Sequence, residues 1–134
     1  MKSSYLVASP FIEQSDSLNN LTISKKNIKI IQYRIQKLVD QRTFFIDPKN
    51  NFQEFSNQIR YPDYIIRHVL KSKGTSYIDI KNKLRLTVAK ELLEKTKLIY
   101  DLNYIAEKSG FNSKSNFYNI FKKYEKCSPR EYVK

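Results

Sequence analysis

The chain has 134 residues, enough for one modest hydrophobic core, and 40% of them are hydrophobic. Its 25 Lys and Arg against 13 Asp and Glu leave a net charge of +12, which favours a polyanionic partner, either nucleic acid or an anionic membrane surface. Two glycines are too few for an all-β fold, and a single cysteine (Cys127) with a single histidine (His68) excludes an internal disulfide or a zinc site.

Residues 1–23 are rich in Ser and Asn and read as a weakly ordered lead-in. Ser24 can cap a helix whose apolar face is Ile28, Ile31, Ile35, Leu38 and Val39, ending near Arg42. The patch Phe44 to Ile46 and a turn over residues 47–51 complete a segment, 24–49, of N-terminal helix and connector. A pair of short helices follows. The first buries Phe52, Phe55 and Ile59. The second has Pro62 in its first turn, carries Ile65, Val69 and Leu70 inward, and stops at Gly74. A long helix over 77–96 starts with a capping box, Ser76 and Asp79. Its apolar stripe is Ile80, Leu84, Val88 and Leu92, with Ala89 and Leu93 beside it.

A second pair of short helices follows the long one. Asp101 caps the first, which turns Leu102, Ile105 and Ala106 inward and closes at Gly110. Phe111 then folds back into the core. The next helix starts at Asn112-Ser113 and buries Phe117, Ile120, Phe121 and Tyr124. Ser128 and Pro129 open a last turn. The expected fold is all-α: two helix-turn-helix units, 52–74 and 101–124, joined by the long helix, with a C-terminal helix over 128–134 and an extra N-terminal helix.

A helix-turn-helix braces with its first helix and lays the second in the major groove of DNA, where residues at its start reach base edges. Lys114, Ser115, Asn116 and Asn119 lie off the apolar stripe of the second such helix. Lys can read guanine and Asn adenine. Lys122 and Lys123 suit phosphates, which supply affinity without sequence information.

The segments Tyr104 to Phe111 (YIAEKSGF), Asn112 to Phe117 (NSKSNF), Ile120 to Lys123 (IFKK) and Ser128 to Tyr132 (SPREY) closely resemble the signature half of AraC/XylS-type transcription regulators. Upstream, Asn82 to Arg85 (NKLR) and Ala89 to Leu93 (AKELL) look like that family's linker helix, and Gly74 with Tyr77 like its G-x-x-F join. The resemblance covers residues 50–134, the expected DNA-binding domain. It implies two recognition helices in successive major grooves, about 34 Å apart. The base-contacting positions it implies are Lys114, Ser115, Asn116 and Asn119 in the second unit. In the first they are Asp63, Ile66 and Arg67, with Tyr64 beside them. Arg67 is the best candidate there, because its fork can grip guanine bidentately.

Departures from the family pattern matter most in the first unit. Asp63 is acidic and Ile66 apolar where the family offers polar or aromatic readers. Asp63 could accept from a cytosine amine or support the helix N-terminus. The first unit is therefore expected to read weakly or mainly to position the protein. Asn119 stands where Arg is frequent. Lys126 stands where glycine is common, so that turn is expected to differ locally. Arg85 can pair with Glu91 or Glu94 or touch phosphate, and the structural role is the one expected. His68 reads as a surface or half-buried residue and not a sensor, Cys127 as core filler, and most of the ten tyrosines as packing residues.

No acid/base pair, nucleophile, phosphate loop or metal cluster is evident, so neither an enzyme nor a cofactor is expected. No apolar run approaches the roughly 18 residues of a membrane span. The expected partner is double-stranded DNA, with RNA polymerase a further candidate, in a monomer or weak dimer in the bacterial cytoplasm near the nucleoid. The alternative is a basic helical module that binds a protein or membrane surface without reading sequence. Residues 1–49 are too few for the effector domain that many relatives carry, so either a short stand-alone regulator or a fragment of a longer one is expected.

Overall fold

The computed structural model describes residues 23–96 and 101–134, which are all-α with eight helices. Of the N-terminal lead-in only Ile23 lies within the described residues, and it is buried. The chain divides into two units. One holds the described residues up to Gln41 together with Asn50–Tyr77. The other holds Arg42–Lys49 and Ile78–Lys134.

The first unit is built from α1 (Lys25–Gln41), α3 (Phe52–Ile59) and α4 (Asp63–Ser72), all packed on one another. Ile31 and Ile35 of α1 are buried, and Ser24 accepts from the Asn27 backbone N–H at its start. Arg34 donates to the Ile59 carbonyl at 2.7 Å, and the Tyr61 hydroxyl donates to Asn27 at 2.6 Å. These bonds tie α1 to the turn between α3 and α4. α3 is capped by Asn51, which accepts from the Glu54 N–H. α4 has Pro62 at its N-cap, just outside the expected first turn, and a proline offers no capping side chain. Ser56 instead donates to the Asp63 carboxylate across the turn. α4 ends in a Schellman motif: the N–H of Gly74 bonds to Lys71 and that of Thr75 to Leu70.

The second unit contains α2 (Thr43–Ile46), α5 (Tyr77–Thr96, which enters the unit at Ile78), α6 (Leu102–Lys108), α7 (Lys114–Glu125) and α8 (Pro129–Tyr132). Its core is Leu86, Ala89, Leu93, Leu102, Ile105, Ala106, Phe111, Phe117 and Phe121. The stripe expected on α5 is corrected here. Ile80, Leu84, Val88 and Leu92 are only half-buried, whereas Asn82, Arg85, Leu86, Ala89, Leu93 and Thr96 are buried. A count of apolar residues passes over this face because three of its members, Asn82, Arg85 and Thr96, are polar. Arg85 does not pair with Glu91 or Glu94. Its Nε donates to the Phe45 carbonyl at 2.7 Å, and a second guanidinium nitrogen reaches the Asp47 carbonyl at 3.5 Å. Glu91 is taken by Arg42 at 2.9 Å, and Glu94 by the Tyr132 hydroxyl.

The turn after α7 closes on its lysine. Lys126 itself adopts the left-handed conformation, φ 66°, and its N–H bonds to the Lys122 carbonyl. An L-residue is disfavoured there because Cβ crowds the following carbonyl, whereas glycine has no Cβ. Lys126→Gly is therefore expected to raise stability by about 0.5–1 kcal/mol, read by thermal denaturation. A fall would mean that the lysine side chain contributes more than its backbone costs.

Candidate nucleic-acid interface

The second helix of the second helix-turn-helix, α7, is fixed in rotation by Phe117 and Phe121, both 0% exposed. Phe117 meets Phe111 at 5.2 Å between centroids and Phe121 at 5.7 Å. With that face locked inward, Lys114, Ser115, Asn116, Asn119, Lys122 and Lys123 are all exposed. The Ser113 side chain caps the helix by accepting the Asn116 backbone N–H at 3.0 Å. The turn before it is a Schellman motif on α6, with Gly110 bonded to Glu107 and Phe111 to Ala106.

Tyr118 is a member of this surface that the sequence reading passed over. It is 38% exposed, one helical turn from Lys114 and from Lys122, and the Lys122 ammonium lies 5.9 Å from its ring centroid. Tyr33, Tyr64 and Tyr104 are also exposed, while Tyr61 and Tyr77 are buried and Tyr124 and Tyr132 half-buried. Among the eight described tyrosines, packing therefore accounts for four, fewer than expected. The signal for Tyr118 was its position four residues from two outward lysines, on the flank of the phenylalanine stripe.

In the first unit the candidate residues separate. Tyr64 and Arg67 are exposed on α4. Ile66 is not a reader: it is 0% exposed, in the unit's core beside Ile65. An apolar side chain there gains more from burial than from water, and α4 turns it inward. Asp63 is half-buried, with its carboxylate engaged by Ser56. Its place in the first turn also complements the helix dipole. His68 is half-buried, and Cys127 packs against the second unit's core.

The family described as a helix-turn-helix domain matches residues 56–134. The chain belongs to the AraC-type helix-turn-helix family of DNA-binding transcription regulators. The AraC-type fold is also what similar solved structures display. The C-terminal domain of the two-component response regulator yesN from Fusobacterium nucleatum is 24% identical, with a TM-score of 0.67 over 77% of this chain and 97% of that one. The C-terminal domain of AraT, a response regulator from Geobacillus stearothermophilus, is 22% identical, with a TM-score of 0.63 over 82% of this chain and 84% of that one. ToxT from Vibrio cholerae is 23% identical, with a TM-score of 0.62, and matches 75% of this chain but 37% of its own.

Around the AraC-type second unit, burial and hydrogen bonding set the ionisation of supporting groups. Burial, and then the charge of Arg85, hold the Lys81 ammonium below the usual lysine range. The bond to Glu94 pushes the Tyr132 hydroxyl up to about 12. Among the described residues no group of His, Cys, Asp and Glu could hold a metal ion, and no helix is long and apolar enough to cross a membrane.

Proposed function

We propose that this AraC-type chain reads specific sequences in double-stranded DNA by placing α7 and α4 in successive major grooves. The observation that carries the reading is the outward face of α7. Four polar side chains at its start are exposed while Phe117 and Phe121 prevent the helix from rolling. Lys114 suits guanine, Asn116 and Asn119 suit adenine, and Ser115 either. Tyr118 supplies an edge for a thymine methyl or a phosphate, and Lys122 and Lys123 contact phosphates. In the first unit the reading falls to Arg67 and Tyr64, with Asp63 set aside as a tie to Ser56.

Mobility shifts with short duplexes test this. Binding should weaken steeply as salt rises, because each phosphate neutralised releases counterions. Asn116→Ala should lower binding to a selected duplex by about 1–3 kcal/mol and leave helicity unchanged, since only its backbone is used in the cap. No duplex binding at low salt would overturn the reading in favour of a basic module for another surface. A loss of helicity would make Asn116 structural.

A further inference from the structure

In the first unit, Arg67 is exposed on α4 with its guanidinium carbon 3.9 Å from the centroid of the Phe52 ring. So short a distance is reached only over the ring face, so the contact is a cation–π stack. Phe52 opens α3 and is itself held. Its ring meets Tyr77 edge-on at 5.8 Å and Phe55 at 6.1 Å, and Phe55 and Tyr77 are 5.0 Å apart. Phe55 is wholly buried, and Tyr77 is 6% exposed. The ring under Arg67 thus belongs to a packed aromatic cluster.

A stack on a ring face consumes none of an arginine's hydrogen-bond donors, because all five N–H groups lie in the guanidinium plane. Arg67 makes no hydrogen bond or ion pair among the described residues. It is a cation seated on a rigid surface with its whole fork unspent. A free arginine loses rotamer freedom when it docks on a base edge, whereas a seated one has already lost part of it.

We infer that Phe52 is a positioning residue for base specificity: its ring holds the Arg67 guanidinium ready for bidentate pairing with a guanine in the major groove. The inference rests on the reading of α4 as a DNA-reading helix. Phe52 touches no base and acts through Arg67 alone. The ring is large and apolar, yet its value lies in its face, so an aliphatic side chain of similar volume cannot replace it.

The probe is the duplex that the full chain selects from random-sequence DNA, alongside the same duplex changed one base pair at a time. Arg67→Ala should remove the preference at one G·C pair by about tenfold or more. Phe52→Leu should lower the preference at that same pair about fivefold and leave the rest of the site and unrelated duplexes within about twofold. Phe52→Tyr should retain the preference, and Phe52→Leu should add nothing to Arg67→Ala. If Phe52→Leu weakens all duplexes alike, or its effect multiplies fully with that of Arg67→Ala, the ring acts through folding and the inference is overturned. If Arg67→Ala is effective and a folded Phe52→Leu is silent, the seat alone fails. If Arg67→Ala leaves every base preference intact, the reading of α4 fails first. Should Phe52→Leu not fold, ring-current shifts of the Arg67 side-chain protons in the free protein decide. Resonances at ordinary positions would overturn the seat.

Discussion

Gly110→Ala is expected to destabilise the second unit by about 3 kcal/mol or more, the sum of a left-handed backbone penalty and an overpacking term. Gly110 has φ 94°, and a Cβ there would lie 2.4 Å from the Ile46 carbonyl oxygen and 2.7 Å from two further backbone atoms of Ile46. The obstacle is main chain, so no side chain can swing away. Either α2 lifts from the turn or the Schellman motif that presents α7 opens. Gly74→Ala is the control. Gly74 also has positive φ, 75°, but an added Cβ would meet nothing within 4 Å. That variant should cost only the backbone part, about 1 kcal/mol. Thermal melts of the two variants side by side give the difference. Equal costs would mean that Ile46 does not press on the Gly110 turn. Gly110→Ala should also lose duplex binding in proportion to the fraction unfolded, with hydrogen exchange rising first in α6 and α7.

Arg85→Met should cost about 2–4 kcal/mol and release the segment Arg42–Lys49. Two effects oppose each other. Methionine relieves the desolvation of a guanidinium that is 4% exposed. It also removes the Arg85 Nε donor, 2.7 Å from the buried Phe45 carbonyl, and takes the cation from over Phe111 at 5.9 Å. Losing a buried hydrogen bond from a charged donor costs about 1.5–3 kcal/mol, and the loss of packing adds to it, so destabilisation wins. The Asp47 carbonyl matters less, since Asp47 is exposed and water can replace the 3.5 Å contact. Denaturant melts give the magnitude, and faster exchange of the α2 amides gives the place. A second readout is electrostatic. Arg85 is the lesser of two causes that depress the Lys81 ammonium, so its removal should move Lys81 partway up toward the ordinary lysine range. Unchanged α2 exchange would show that the segment is held by something other than Arg85.

The two glycines illustrate how legible the fold was. Both were recognisable as helix stops from their place after an apolar period, and both close Schellman motifs. Only Gly110 is pressed by a distant backbone, and nothing in its neighbours along the chain says so. The first unit's turn is different again. Arg60 takes the left-handed conformation, φ 66°, without a glycine to mark the position. The candidate reading face divides in the same way. On α7 the outward set could be read off the chain, because Phe117 and Phe121 leave no choice of inward face. On α4 the family's positions suggested Ile66 as a reader, and the packing of α1, α3 and α4 turned it inward.

Sequence alone determined what depends on residues within a turn or so of each other. That includes the helices other than α2, the caps at Asp101, Ser113 and Ser128, the glycine stops, and the family signature from Tyr104 to Tyr132. Such features are set by hydrogen bonds and apolar periods that close over three to four residues. Tertiary structure decided what depends on residues far apart along the chain. It placed α1 with the first unit and residues 42–49 with the second, chose a partly polar face of α5 as the buried one, sent Arg85 to the carbonyl of Phe45, and laid Arg67 on the ring of Phe52. A buried polar side chain is tolerated only where a partner arrives from elsewhere in the fold, and no local pattern announces that partner.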